Sequence, residues 1–155
     1  MQRGADEAMD WGHRFYMKSG FTATMPDELV ELWVGLTESA PPGGCSIGAW
    51  PWDRAIWRVS DDDKAFTGRA ARFWLAVESQ WDDPSLDDEI RDWTRHVYDT
   101  VTPYRTTGRY VNDVVESGDD VVRSVYGDAK YERLVALKCA WDPDNLFRMN
   151  QNIRP

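Results

Sequence analysis

The stretch from Arg72 to Trp81 has the clearest residue pattern in the chain and constrains the fold most. Its side chains alternate between two faces, with Phe73, Leu75 and Val77 on one and Trp74, Ala76 and Glu78 on the other. Alternation with a period of two residues is typical of a β-strand. A strand needs hydrogen-bonded neighbours, so the other extended segments are interpreted as its sheet.

Two segments have apolar stripes at helical spacing. The first begins at Pro26, a residue that suits the first position of a helix, and carries Leu29, Leu32, Trp33 and Leu36 on one face. The second spans residues 85–101, where Ile90, Trp93, Thr94, Val97, Tyr98 and Val101 form the stripe. Two shorter helices are expected at 117–126 and 128–140, with Gly127 ending the first and Asp128 capping the second.

Extended character marks several other segments. Residues 14–25 are expected to form a strand, and residues 45–50 and 55–59 a hairpin with its turn at 51–54. Residues 106–115 are also expected to be extended, and Trp141 to Asp144 a turn that leads into an irregular tail. This order of elements predicts an α+β fold: one antiparallel sheet, helices packed mainly on one face, and an irregular C-terminal tail.

Composition narrows the function. The 155 residues suggest a single domain, 1–155. A net charge of −9 argues against nucleic acid and anionic membranes, because both require clustered basic residues. Cys45 and Cys139 form no CxxC pair or cluster with histidine, so no metal site is expected. The chain has no apolar stretch long enough to span a bilayer and no signal peptide at its start, which makes cytoplasmic residence the expectation. The nine tryptophans either fill the core or line a pocket for a flat ligand.

The last thirty residues carry the most specific motifs. They read YG at 126–127, YERLVALK at 131–138, WDPDNLF at 141–147 and NQNI at 150–153. This run resembles the C-terminal signature of the berberine-bridge-enzyme-like FAD-linked oxidases. Tyr110-Val111-Asn112 resembles the "YxN" motif of that family, and residues 14–21 and 73–81 resemble strands of its substrate domain. The resemblance divides the chain into a substrate-domain part, 1–105, and a berberine-bridge segment, 106–155.

The resemblance implies a site and a cofactor. The sheet face opposite the helices would cover the ring of FAD and hold a small-molecule substrate. The residue after the motif asparagine is often a tyrosine that acts as general base in this family, but here it is Asp113. Asp113, Tyr110 and Glu78 are therefore the candidate catalytic residues, although Glu78 on a solvated face, or Tyr110 packed among aromatic side chains, would have no such role.

The remaining candidates follow from the same comparison. Asn112, Asn150 and Asn152 are expected to contact the cofactor, because the "NQNI" end of such enzymes flanks the active site. Tyr16 and Lys18 alternate on the first strand and are expected, with Trp74, to contact the substrate.

The flavin-binding domain of the resembled enzymes would precede residue 1, so FAD is implied but is not expected to bind to this chain alone. Three functions remain open. The chain is the substrate-binding part of a flavin oxidoreductase, with a separate chain that carries the FAD domain. Otherwise it is a stand-alone binding module that forms a homodimer through its exposed aromatic sheet face, or a flavin-free lyase or isomerase that uses Asp113 or Glu78 as base.

Overall fold

The computed structural model describes residues 11–106, 108–116 and 118–155. The strands and helices follow in the order β1 Arg14–Thr22, α1 Asp27–Glu38, β2 Gly44–Pro51, β3 Phe73–Trp81, α2 Asp87–Thr100, α3 Asp119–Tyr126 and α4 Asp128–Trp141. Short 3-10 turns at Asp61–Asp63, Pro84–Leu86, Thr102–Tyr104 and Val111–Asp113 lie between them. The predicted α+β class is confirmed.

The strand that dominates the sequence is also the centre of the sheet. The strand order is β1-β3-β2, and β3 pairs with both neighbours in antiparallel fashion. Val77 lies between Lys18 of β1 and Ile47 of β2, whereas the next row joins Ser19, Ala76 and Gly48. Directly paired residues share a face, so these two rows point to opposite sides of the sheet.

The two long helices cover the Val77 side. Leu36 of α1 and Trp93 and Val97 of α2 pack with Val77 in the core. The predicted stripe of α2 is confirmed, because Ile90, Trp93, Thr94, Val97 and Tyr98 are all buried. One polar pair enters this core: the hydroxyls of Ser79 and Thr94 hydrogen-bond at 2.8 Å, which satisfies both groups away from water.

The predicted hairpin is wrong. Residues 54–59 form turns instead of a strand. All of Gly44–Pro51 pairs with β3, so the partner of β2 is distant in sequence. The aromatic character that suggested a strand serves side-chain contacts, since the Trp57 indole donates to the Ala71 carbonyl at 2.9 Å and lies 3.8 Å from the Arg72 guanidinium.

Three smaller predictions also need correction. Residues 106–115 are not extended throughout, because Val111–Asp113 closes into a 3-10 turn. Asp128 is the first residue of α4 and makes no capping hydrogen bond; the cap is Gly127, whose φ of +74° favours glycine. The second long helix begins at Asp87, after the turn at Pro84–Leu86, and not at residue 85.

The C-terminal helices pair with each other and lead into the tail. Helix α4 ends at Trp141, as expected before Pro143. The Asp142 carboxylate then accepts hydrogen bonds from the backbone N–H groups of Leu146 at 2.7 Å and Phe147 at 3.1 Å. Residues 145–155 have no regular secondary structure, which confirms the irregular tail.

Within the three described ranges, no helix has the length and apolarity needed to cross a bilayer.

Candidate functional site

The sheet face opposite the long helices carries an aromatic and polar surface. Trp74, Ala76 and Glu78 of β3 lie on this face, and the strand register places Met17, Ser19, Ser46, Gly48 and Trp50 beside them. The Trp50 and Trp74 rings approach to 4.6 Å between centroids. A side chain at position 48 would begin 2.4 Å from the Trp50 ring, so glycine there lets the indole lie flat on the sheet.

Asp113 lies against this face, at the end of the Val111–Asp113 turn. Its Oδ2 accepts hydrogen bonds from the Ser19 hydroxyl at 2.8 Å and from the Trp74 indole N–H at 2.9 Å. Burial raises the pKa of Asp113 above its ordinary value, and these two hydrogen bonds act in the opposite direction without cancelling the rise. The carboxylate is therefore held in one orientation and is a stronger base than an exposed aspartate.

Glu78 is the second carboxylate of this face. Burial raises its pKa, and the negative charge of Asp113 raises it further. Two neighbouring acids with raised pKa values are typical of sites where a proton is transferred. Glu78, one of the candidate catalytic residues, is thus half-buried and electrostatically linked to Asp113.

Tyr110 and Asn112 lie beyond Asp113 along the chain. The Tyr110 ring joins an aromatic cluster, with centroids 6.5 Å from Trp52 and 5.9 Å from Phe66. Its hydroxyl accepts a hydrogen bond from the Asn112 side-chain amide at 2.8 Å. Both residues line a cavity of about 250 Å³ together with Phe66 and Tyr126. Tyr110 is therefore both packed and hydrogen-bonded.

The C-terminal tail and the segment that contains Asn112 together line a larger cleft. Asn112 and Asn150 line this cleft of about 630 Å³ together with Gln151. The Gln151 amide donates to the carbonyls of Val114 at 2.6 Å and Glu116 at 2.9 Å. The side-chain oxygens of Gln151 and Asn152 are buried, and neither accepts a hydrogen bond from the residues that the structure describes. Buried acceptors of this kind can receive a donor from a bound molecule.

The structure does not bring Tyr16 and Lys18 together with Trp74. Their register partners are Ser79 and Val77, so both begin on the helix-covered side of β1. The Lys18 ammonium pairs with the Glu116 carboxylate and lies 5.8 Å from the centroids of Tyr16 and Tyr98. Burial, followed by the nearby positive charge of Arg109, lowers the pKa of Lys18. A contact of either residue with substrate stays a prediction.

The residues of β1 that share the face of Glu78 are Phe15, Met17, Ser19 and Phe21, and sequence reasoning missed Met17 and Ser19 as residues of the site. The period-two pattern separates them from Tyr16 and Lys18 but does not say which set faces the helices. No residue near Asp113 in the sequence indicates that its carboxylate accepts a hydrogen bond from Ser19, which is distant in the chain.

Comparison with known proteins shows what this chain is similar to. Residues 109–154 match the family model described as berberine and berberine-like. The uncharacterised FAD-linked oxidoreductase YvdP of Bacillus subtilis is 29% identical over 145 residues, which cover 94% of this chain and 30% of that protein. The chain thus spans about a third of the length of this relative. It is similar to part of an FAD-linked oxidoreductase.

Solved structures agree on the fold. The berberine bridge enzyme from Eschscholzia californica superposes with a TM-score of 0.79 at 22% identity, over 99% of this chain and 36% of that one. GilR, an oxidoreductase that catalyses the terminal step of gilvocarcin biosynthesis and was solved with pregilvocarcin, gives 0.76 at 25% identity, over 93% and 33%. The chain is therefore similar to part of the berberine-bridge-like FAD-linked oxidoreductases.

The names of these relatives imply FAD, and the described residues fit one side of such a group. Asn112, Asn150 and Gln151 line the cleft with polar side chains, and the buried side-chain oxygen of Gln151 has no hydrogen-bond donor among the described residues. A contact of Asn112, Asn150 or Asn152 with the cofactor stays a prediction. The Trp50 and Trp74 rings are tilted by 47° to each other, and the face of either indole suits a planar molecule stacked on it.

Proposed function

We propose that this chain forms the substrate-binding wall of an FAD-linked oxidoreductase and supplies its proton acceptor. One observation carries the proposal: the Asp113 carboxylate is anchored by Ser19 and Trp74 on the open sheet face, where its charge raises the pKa of Glu78. An acid with a raised pKa accepts protons effectively near neutral pH.

The two carboxylates have different tasks in this proposal. FAD, when bound, supplies the oxidising chemistry by accepting a hydride from the substrate. Glu78 removes the proton from a substrate hydroxyl. Asp113 is less suited to this task, because Ser19 and Trp74 already donate hydrogen bonds to its carboxylate. Asp113 stays oriented by Ser19 and Trp74, and its charge keeps the pKa of Glu78 high. Tyr110 and Asn112 hold one another at the cleft.

The substrate is a flat small molecule that carries a hydroxyl group. Stacking against Trp50 and Trp74 favours an unsaturated ring system, since indole faces bind planar groups.

A second part must hold most of the FAD, and we propose that it docks on the exposed apolar surface of the C-terminal region. We name this surface the tail patch; it comprises Trp141, Leu146, Phe147 and Met149, whose exposed fractions are 84%, 75%, 82% and 84%. Exposed apolar clusters mark interaction surfaces. The relatives are about three times as long as this chain, so the flavin-bearing part is the fitting occupant.

A chimaera tests the catalytic proposal. This chain replaces the corresponding C-terminal third of YvdP, and flavin reduction is followed without oxygen over a panel of flat alcohols. Glu78→Gln is expected to slow reduction by about 10²–10⁴-fold, because it removes the proton acceptor and keeps the shape. Glu31→Gln, an exposed carboxylate of α1, is the matched control. Undiminished reduction by the Glu78→Gln chimaera would refute the assignment.

Flavin content tests the need for a second part. The chain purified alone is expected to be colourless after incubation with FAD and to oxidise nothing, whereas the chimaera is expected to carry flavin absorbance. Stoichiometric flavin on the isolated chain would contradict the proposal.

A stand-alone binding module that self-associates is the second candidate. Phe15 and Trp50 on the open face are 50% and 42% exposed, which favours a homodimer through this aromatic face. Light scattering separates the two candidates, because a monomer without ligand excludes the dimer. A lyase or isomerase that uses Asp113 or Glu78 without flavin would instead turn over substrate as the isolated chain. Cytoplasmic residence stays a prediction in each case.

A further inference from the structure

The segment that carries Asp113 has no strand to hold it. Between Arg109 and Glu116 the backbone forms the Val111–Asp113 turn and otherwise lacks regular structure. The hydrogen bonds from Asp113 to Tyr110 and from Val114 to Val111 are local to that turn. A local turn sets its own shape but not its position over the sheet, so contacts from elsewhere must place the carboxylate.

Gln151 supplies such a contact from the distant tail. Its side-chain nitrogen lies 2.6 Å from the Val114 carbonyl oxygen and 2.9 Å from that of Glu116. The primary amide has two N–H donors, and the two carbonyls take both. These acceptors are one and three residues beyond Asp113, so Gln151 binds the backbone directly after the carboxylate. The contact spans more than thirty residues of sequence and is partly buried.

The opposite side of the carboxylate is fixed by the sheet. Ser19 and Trp74 donate to Oδ2 of Asp113, and both belong to strands. The Glu116 side chain adds ion pairs with Lys18 and, at 3.6 Å, with Arg109, but these act on a side chain that is 41% exposed. Gln151 holds the main chain itself. Asp113 therefore lies between two supports, the sheet on its side-chain end and the tail amide on its backbone.

We propose that Gln151 is a positioning residue, whose side-chain amide clasps the main chain at Val114 and Glu116 and thereby holds the Asp113 carboxylate against Ser19 and Trp74. The proposal rests on the function proposed for Asp113 and adds a residue of the C-terminal tail to the same site. In this proposal the C-terminal tail helps to hold Asp113 beside Glu78, independently of any contact that Asn150 or Asn152 makes.

The Trp74 indole N–H offers a direct readout, because it donates to Asp113. Its ¹H–¹⁵N resonance in the isolated chain is assigned with Trp74→Phe and followed over pH, so that it reports the ionisation of Asp113. Asp113→Ala gives the resonance position without this acceptor. Gln151→Ala is expected to move the resonance toward that of Asp113→Ala. It is also expected to lower the titration midpoint, since burial is the main cause of the raised pKa of Asp113.

Controls keep loss of fold separate from loss of the clasp. Gln80→Ala changes the other described glutamine, at the far end of β3, and is expected to leave the Trp74 resonance and its midpoint in place. Should Gln151→Ala not fold, Gln151→Asn retains the amide but shortens its reach, and the same shifts are expected. An unchanged Trp74 resonance and midpoint in a folded Gln151 variant would overturn the proposal.

The outcome is independent of the catalytic test. A clasp shown by the Trp74 resonance stands even if the Glu78→Gln chimaera keeps full activity, in which case the proposed function fails alone. If the Trp74 resonance is unchanged in Gln151→Ala while the Glu78→Gln chimaera is slow, the role of Gln151 is refuted and the proposed function stands.

Discussion

Single residues of the open face decide its chemistry. Ser19 and Trp74 hold one oxygen of Asp113, and the charge of Asp113 then adds to burial in raising the pKa of Glu78. The sequence placed both acids among the candidates but did not connect them. The position of Asp113 beside Glu78 depends on the hydrogen bond from Ser19. Nothing in the sequence distinguishes Ser19 from the other serines.

The raised pKa of Glu78 predicts a pH-dependent stability. Its folded-state pKa lies above the unfolded one, so the folded protein binds the proton more tightly. The stability that comes from protonated Glu78 is complete below the unfolded pKa and is lost as the pH rises through the higher folded pKa. Glu78→Gln is therefore expected to raise the free energy of unfolding at neutral pH and to flatten its decline across the mildly acidic range.

Urea unfolding at a series of pH values measures this effect, with Glu31→Gln as the exposed control. A Glu78→Gln variant that is less stable than the unchanged protein at neutral pH, with the same pH profile, would contradict the predicted direction.

At the scale of elements, helix faces followed their sequence patterns and strand partners did not. The stripe of α2 is buried as its spacing predicts, because helical periodicity is a local property. The expected hairpin at 45–59 failed because the partner of β2 is β3, more than twenty residues further along the chain. A short segment such as 55–59, with aromatic and β-branched residues, satisfies the pattern of a strand without having a strand to pair with.

Helix α1 offers a test of the core. Leu29 is fully buried and Val34 is 59% exposed on the same helix. Leu29→Ala is expected to lower the free energy of unfolding by about 2–5 kcal/mol, because it removes buried methyl groups and leaves a cavity. Val34→Ala is expected to change it by about 0.5 kcal/mol or less. Equal effects in chemical denaturation would show that α1 does not bury this face.

Helix α4 is anchored to the loop that follows β2 by a buried lysine. The Lys130 ammonium is 6% exposed and donates to the Asp61 carboxylate at 3.0 Å, to the Phe66 carbonyl at 3.1 Å and to the Asp61 carbonyl. Lys130→Met is expected to destabilise the protein by about 1–3 kcal/mol, since the carbonyls lose their donor.

Amide hydrogen exchange in residues 61–66 would locate this effect, because the loop loses its attachment to α4. Lys64→Met, at an exposed lysine of the same loop, is the control and is expected to change little. Unchanged exchange in the Lys130→Met protein would show that other contacts hold the loop.

At the scale of the whole molecule, the tail patch is the feature that supports the proposal of a second, flavin-bearing part. Phe147 and Met149 are more than 80% exposed, and Met149 lines the cleft together with Gln151, whose buried side-chain oxygen lacks a donor among the described residues. Both features are explained by one proposal, an additional flavin-bearing part that covers the apolar side chains and brings a ring to the amides.

Substitution of the tail patch tests this idea. The double change Phe147→Ser and Met149→Ser is expected to weaken association with a flavin-bearing partner, or flavin retention in the chimaera, by about tenfold or more, because exposed anchors of an interface contribute much of its affinity. The isolated chain should keep its unfolding free energy, since both side chains are already in water. Val34→Ser is the control at an exposed apolar residue outside the patch. Flavin retention that is unaffected by the double change would place the interface elsewhere.

The sequence by itself determined the α+β class, the course of β3 and the long helices, the turn after Trp141 and the resemblance of the last thirty residues to a known family. These are local properties, since periodicity, proline and short motifs act within a few residues of one another. Only the tertiary structure decided that Ser19, and not Lys18, shares the face of Glu78, and that Gln151 reaches the backbone beside Asp113. Strand register and the path of an irregular tail depend on partners far away in the chain, and a shift of one residue turns every side chain of a strand to the other face.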